Sequence, residues 1–354
     1  MAYERDNIRQ LEAYVPGEQP QPGDGVIKLN TNENPYPPAE AVLEAIHGIS
    51  GESLRLYPPP EAGAFRKVAA SIHGVGVEQV IATNGGDELL RLAVTVFCEP
   101  GAGGLGMAEP SYSLFATLGG IQDTPVTQVA LDDDWSLPDD FADRLNDAGC
   151  RLALVVNPHA PSGRLEPVER LEQAARKFRG VLVIDEAYVD FASHDALGLL
   201  TSEGGLDNVL ILRTLSKGYS LAGMRFGYGL GHARLIAAMD KARDSYNTDI
   251  VSQAAAVAAL RSRDVATRSW QRVIDERRRM TDELCRRGYR VYPSESNFLL
   301  VVPPTDADLV YRSLKNQGVL VRYFDKGRLR DKLRITIGTP QQNDRVLATL
   351  DEPA

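Results

Sequence analysis

The chain has 354 residues, enough for one large domain and a smaller one. Its 43% hydrophobic and 25% charged content is ordinary for a water-soluble globular protein, and no apolar run reaches the roughly 20 residues of a membrane-spanning helix. A formal net charge of -9 argues against nucleic acid as the main partner, since such binding rests on clustered positive charge.

The N-terminus, Met1-Ala2-Tyr3-Glu4-Arg5-Asp6, lacks the basic-then-apolar order of a signal peptide, so a cytoplasmic setting is expected. Cys98, Cys150 and Cys285 give neither a disulfide framework nor a metal-site spacing. No two of the five histidines lie at the i, i+4 spacing of a helical metal site, and no Gly-x-Ser-x-Gly elbow supports a serine hydrolase.

Residues 1–30 carry Pro16-Gly17 and Gln19-Pro20-Gln21-Pro22-Gly23 and read as an extended arm rather than a packed element. Val80–Thr83 predicts a strand, followed by a helix over 88–97. Leu152–Val156 predicts a second buried strand. A helix over 166–178 follows, then strands over 181–184 and 209–212. Short apolar runs alternating with helical patterns predict an α/β layer with a largely parallel sheet covered on both faces. From about 246 the texture changes. One long helical stretch runs from 250 to about 287, and its charges at 276–279 read as a solvated face. Short strands follow at Phe298–Val302, 319–322 and 333–337. The expected division is an arm over 1–30, a large domain over 31–245 and a small α+β domain over 246–354.

Lys217, in Thr214-Leu215-Ser216-Lys217-Gly218, lies downstream of an apolar run that ends in Asp185-Glu186-Ala187-Tyr188. One cofactor needs both parts. Pyridoxal phosphate requires a lysine amine to hold its aldehyde as a Schiff base and an acid opposite its pyridine nitrogen. Arg225 supplies charge suited to the cofactor phosphate. Thr83-Asn84-Gly85-Gly86-Asp87-Glu88 joins a strand to a helix. Its glycines allow close backbone approach, and the helix start favours an anion.

Gly101-Ala102-Gly103-Gly104-Leu105-Gly106 satisfies G-x-G-x-x-G but lacks the preceding strand of a dinucleotide site, so it reads as a glycine-rich loop. Tyr112 is placed to stack on a flat ring. Asn157 follows a predicted parallel strand, where α/β proteins bind ligands, and with Tyr188 it suits the ring oxygen. Arg322 and Arg334 interrupt apolar strands, and their planar forks point to anion recognition.

Taken in order, Asn30-Thr31-Asn32-Glu33-Asn34-Pro35, Tyr57-Pro58, Gly85-Gly86-Asp87-Glu88, Pro110-Ser111-Tyr112, Asn157-Pro158 through Ser162-Gly163, Asp185-Glu186-Ala187-Tyr188, Thr214-Leu215-Ser216-Lys217, Arg225 and Leu333-Arg334-Ile335-Thr336 resemble the fold-type-I pyridoxal-phosphate aminotransferases. Within these, the chain is most similar to the histidinol-phosphate subgroup. The resemblance covers about residues 12–345. It implies a large domain with a mostly parallel seven-stranded sheet flanked by helices, a smaller α+β domain, and a homodimer with shared active sites. It also implies transamination of L-histidinol phosphate with 2-oxoglutarate to imidazole acetol phosphate and L-glutamate. An aromatic amino-acid aminotransferase and a threonine-phosphate decarboxylase share the scaffold.

The roles implied are these. Lys217 would hold the cofactor, and its freed amine would act as general base. Asp185 would face the ring nitrogen, and Asn157 and Tyr188 the ring oxygen. Tyr112 would stack on the ring. Gly85, Gly86, Asp87, Thr214, Ser216 and Arg225 would surround the phosphate, with Tyr57 crossing from the second subunit. Arg334 would hold the substrate carboxylate, with Arg322, Tyr14 and Asn32 completing the substrate site. The chain departs from the family at His159 and Ala160, which stand where Asn-Asn is common, and at Gly86, where Ala is common.

Overall fold

The computed structural model describes residues 3–12, 17–21, 23–201 and 204–352. Seven strands form the main sheet: β1 (Val80–Thr83), β2 (Leu105–Glu109), β3 (Val126–Ala130), β4 (Leu152–Val156), β5 (Val181–Asp185), β6 (Val209–Thr214) and β7 (Gly227–Gly231), in the order β1-β7-β6-β5-β4-β2-β3. The neighbours from β6 through to β3 pair parallel, while β7 runs antiparallel to both β1 and β6. This is the expected mostly parallel α/β layer.

Its central strands are built on continuous apolar runs because both faces are covered, with polar residues only where β5 and β6 end, at Asp185 and Arg213-Thr214. Ala153, Val155, Leu182 and Ile184 enter one hydrophobic cluster, while Leu152, Leu154, Val156 and Val183 enter the other. The strand period of two therefore feeds two cores from one run.

Three strands escape the sequence reading. β2 follows the glycine-rich run 101–104, and β3 is an edge strand whose residues are mostly half-buried or exposed. β7 reads Gly-Tyr-Gly-Leu-Gly, a turn composition, yet is buried throughout. A Cβ on Gly227 would lie 2.6 Å from the carbonyl carbon of Gly85 and 2.7 Å from Gly86 N. The glycine thus lets the N-terminus of the helix Gly85–Phe97 rest on β7 itself. That helix begins three residues earlier than expected. The run 101–106 leads into β2 rather than following a strand, so the dinucleotide geometry is absent.

The described parts of the arm are tied down. Arg5 and Asn7 donate to the carbonyls of Ile121 and Gly120, both at 2.8 Å, and Ile27–Lys28 pairs parallel with Val319–Leu320. Proline and glycine content cannot reveal so distant a backbone partner. The strand expected at 319–322 accordingly splits. Its first two residues pair with the arm, while Arg322–Tyr323 joins a four-stranded antiparallel sheet with Leu333–Thr336, Phe298–Val302 and Arg290–Val291.

The long helical stretch also splits at Ser262, into Ile250–Arg261 and Arg263–Arg286. The first piece packs on the helices Glu40–His47 and Gly63–His73. Within 276–279, Arg277 is buried instead of solvated and donates to the carbonyls of Phe191 (3.1 Å) and Ser296 (2.7 Å). Among the described residues no helix is long and apolar enough to cross a membrane, and no His, Cys, Asp or Glu group is arranged for a metal ion.

Candidate active site

The carboxyl ends of the parallel strands bring the functional side chains to one edge of the sheet. Asp185 ends β5, Asn157 follows β4, and Thr214 ends β6 and leads into the loop that carries Lys217. The Lys217 ammonium donates to the Thr31 carbonyl at 2.9 Å and lies 5.9 Å from the centre of the Tyr188 ring. Burial lowers its pKa to about 8. Arg334 and Arg225 push in the same direction, against Glu33. An amine so placed gives up its proton far more readily than an exposed lysine, as a nucleophile and base must.

Asp185 is buried, with its carboxylate accepting the Ala187 N–H at 3.0 Å. Burial raises its pKa to about 7, helped by the negative charges of Asp87 and Glu186. A buried carboxylate among acids favours a cationic ligand group beside it.

The anion cup forms at the start of the helix Gly85–Phe97. Gly85 has φ +78, and a Cβ there would lie 2.8 Å from Arg225 Nη2. Arg225, itself left-handed at φ +50, reaches Ser216 Oγ at 3.4 Å and Asp87 Oδ2 at 3.4 Å. The Thr214 hydroxyl accepts the Ser216 N–H at 3.1 Å and donates to Ser216 Oγ at 3.0 Å. Gly86 lies over Leu212, with little space for a Cβ. Tyr112 donates to Asp87 Oδ1 at 3.3 Å. The Asp87 side chain is thus engaged by Tyr112 and Arg225, so what it offers an anion is the backbone of the first helical turn, not its carboxylate.

A second group centres on Asn32, a buried non-glycine residue at φ +57. Its amide donates to Tyr188 Oη at 3.0 Å, its N–H to Thr336 Oγ1 at 3.1 Å, and its carbonyl accepts Asn297 Nδ2 at 2.9 Å. The Thr336 hydroxyl returns a bond to Asn32 Oδ1 at 3.0 Å. Arg334 donates to the Asn30 carbonyl at 3.0 Å and stacks over Phe298 and Phe324. Arg322 sits opposite Arg334 in the antiparallel register and shares Phe324. Asn157 Oδ1 accepts the Glu166 N–H at 2.8 Å, which fixes the orientation of its amide.

Two expected residues stand outside this cluster. Tyr57 is 81% exposed and stacks on Tyr246 at 4.5 Å. Tyr14 lies outside the described residues. His159, the departure from the family pattern, is an internal tie. Its Nε2 bonds the Pro110 carbonyl at 2.8 Å and its Nδ1 the Ser162 hydroxyl at 2.7 Å, so the loops bearing Tyr112 and Asn157 are joined. Burial lowers its pKa to about 4, and it stays neutral.

Thr31, Glu33, Thr336 and Asn297 join the group around Asn32 without a role expected from the sequence. The only signal for the first three was membership of the strings around Asn32 and Arg334. A separate cleft of about 650 Å³, lined by residues that include Trp135, Arg164, Arg277 and Glu295, contains neither Lys217 nor Asp185.

Gly218 is fixed by packing. A Cβ there would collide with the Asp190 carboxylate, while the Gly218 carbonyl accepts Trp270 Nε1 at 2.6 Å. Gly218→Ala is expected to cost about 1–3 kcal/mol of stability by overpacking. Chemical denaturation checks this, and Asp190→Ala in the same chain should restore part of the loss.

The donor set fits pyridoxal phosphate: an activated lysine, a buried acid for the ring nitrogen, and a backbone cup with an arginine for the phosphate. The profile of the family described as Aminotransferase class I and II matches residues 24–350. The chain is 41% identical over 349 residues to histidinol-phosphate aminotransferase 1 of Trichormus variabilis, covering 98% of each chain. It is also 41% identical over 349 residues to a histidinol-phosphate aminotransferase of Geotalea uraniireducens, again covering 98% of each. The crystal structure of histidinol-phosphate aminotransferase from Sinorhizobium meliloti in complex with pyridoxal-5'-phosphate superposes with a TM-score of 0.89 at 26% identity, over 99% of this chain and 97% of that one.

Proposed function

The chain belongs to the class I and II aminotransferase family, and from that premise we propose that it transfers the amino group of L-histidinol phosphate to 2-oxoglutarate, with pyridoxal 5'-phosphate held on Lys217. The products are imidazole acetol phosphate and L-glutamate. The observation that carries the reaction class is the convergence of a pKa-lowered Lys217, the buried Asp185 and the Gly85–Arg225 cup on one sheet edge. The substrate assignment leans on the names of relatives 41% identical over nearly the full chain.

When bound, pyridoxal phosphate supplies an electrophilic carbon for the amino nitrogen and a ring that accepts the electron pair left by a departing α-proton. The rest falls to the protein. The Lys217 amine would take the α-proton from the substrate carbon and deliver it two atoms along, to the cofactor's former aldehyde carbon. Asp185 holds positive charge at the ring nitrogen. Asn157 and Tyr188 bond the ring oxygen, and Tyr112 covers a ring face. The first turn of the helix Gly85–Phe97, with Thr214, Ser216 and Arg225, grips the phosphate. Arg334 takes the anionic end of the amino substrate and Arg322 assists it, both set in the small sheet. Asn32 links that sheet to Tyr188. We read the protein as a cytoplasmic homodimer in which Tyr57 of a second copy completes the phosphate grip. The arm (1–30), large domain (31–245) and small domain (246–354) are read as its divisions.

The test mixes the cofactor-loaded protein separately with histidinol phosphate, glutamate, phenylalanine and threonine phosphate in single turnover, following the cofactor absorbance. Histidinol phosphate and glutamate are expected to convert the cofactor to its amine form at least about tenfold faster than phenylalanine does, the scale of one hydrogen bond to a charged group. Preference for phenylalanine would move the protein to the aromatic aminotransferases. Carbon dioxide release from threonine phosphate would make it a decarboxylase.

A further inference from the structure

We infer that the Lys28–Glu33 ion pair is a positioning device for Lys217, setting the proton affinity of its amine through the Thr31-Asn32-Glu33 turn. The inference rests on the reading of Lys217 as the cofactor lysine. Three contacts build it. The Thr31 carbonyl accepts the Lys217 ammonium at 2.9 Å. The Thr31 hydroxyl donates to Glu33 Oε2 at 2.8 Å. The other Glu33 oxygen receives the Lys28 ammonium. One residue, Thr31, therefore touches both the reactive amine and the carboxylate.

The turn has little freedom to relax. Asn32 is in the left-handed region, uncommon for a side-chain-bearing residue, and is pinned by Thr336, Asn297 and Tyr188. Lys28 is fixed from the other side by the pairing of Ile27–Lys28 with Val319–Leu320. The two charges thus keep their places relative to Lys217.

Their signs oppose. A carboxylate near an amine favours the ammonium form, and a second cation disfavours it. The other charged groups facing Lys217 are Arg334 from the small sheet, Arg225 from the cup and Asp185 from β5. Glu33 counters the two arginines, and Lys28 limits how far it does so. An amine that must be neutral to take a proton and charged to give one back needs this trimming. Glu33 is partly exposed, so the effect is screened and modest.

The test titrates the visible absorbance of the bound cofactor against pH in the holoenzyme, and the pH dependence of cofactor capture by the apoprotein. Wild type, Glu33→Gln and Lys28→Met are compared at low salt. Glu33→Gln is expected to lower both midpoints and Lys28→Met to raise them, each by about half a pH unit. The double variant should lie near wild type, and added salt should shrink the differences. Thr31→Val, which releases the carboxylate without removing its charge, should lower the midpoints less than Glu33→Gln. A purely structural role would move the two single variants the same way. That result, or midpoints that do not move, overturns the inference. Cofactor capture that survives unchanged in Lys217→Ala would instead overturn the reading of Lys217 itself.

Discussion

Lys217→Ala is expected to lower turnover of the amino donor by about four orders of magnitude or more, while leaving the protein folded. The two roles proposed for it vanish together, the covalent hold on the cofactor and the base that moves the α-proton. Proton transfer by a positioned side chain alone contributes roughly 10²–10⁴-fold. Asp185 does not replace Lys217, being engaged at the Ala187 N–H. Stability should hold or rise, because burial, Arg334 and Arg225 disfavour the ammonium at this position. Cofactor binding should weaken without disappearing, since the cup at Gly85 and the acid at Asp185 remain. Stopped-flow single turnover, equilibrium dialysis and thermal unfolding on one preparation separate these effects. Turnover at the wild-type rate would remove Lys217 from the chemistry.

Arg213→Met is expected to destabilise the fold by about 3–5 kcal/mol at neutral pH, the cost of breaking a buried ion pair from one side. Arg213 lies on β6 directly behind the site. Its guanidinium meets Glu186 Oε2 at 2.8 Å and Asp195 Oδ2 at 2.8 Å. Glu186 is fully buried and also accepts the Ala196 N–H at 2.6 Å. Burial pushes the Glu186 carboxyl up, and Arg213 opposes that push.

Without Arg213 the folded-state pKa of Glu186 rises further above its unfolded value. The variant's deficit is then full above that raised value and fades as pH falls toward the ordinary glutamate range, where both states are protonated. Urea melts at pH 5 and pH 8 should show the larger deficit at pH 8. Adding Glu186→Gln should recover much of the loss, because it removes the charge left unpaired. A deficit larger at pH 5 would mean that the pair is not what the arginine supplies.

The parallel strands β4, β5 and β6 were legible because each is built on a continuous apolar run, and only burial on both faces makes that pattern favourable, whereas the parallel β2 and β3 lack such a run. Asp185 and Lys217 were legible because each stands where such a run gives way to polar residues. β7 was not, because its glycines serve a neighbour's approach and resemble a turn locally. The pairing of Ile27–Lys28 with Val319–Leu320 links segments nearly three hundred residues apart and leaves no local pattern. The Asn32 junction was half visible. The residue type was noted, but its left-handed backbone and its bonds to Thr336 and Asn297 exist only once the arm, the main sheet and the small sheet meet. Arg277 misled for the opposite reason: a run of charge looks solvated until the turn at Phe191 and the bend at Ser296 place carbonyls around one member.

Under Gly85 the floor of the proposed phosphate cup is backbone with nothing on it. At Gly227 the strand already carries the smallest residue available, so no substitution there can make that floor thinner. Redesign for a bulkier or longer cofactor tail therefore has two sides open to it. Space must come from the Arg225 side, where a flexible guanidinium can withdraw, or from trimming the Leu212 side chain that lies under Gly86.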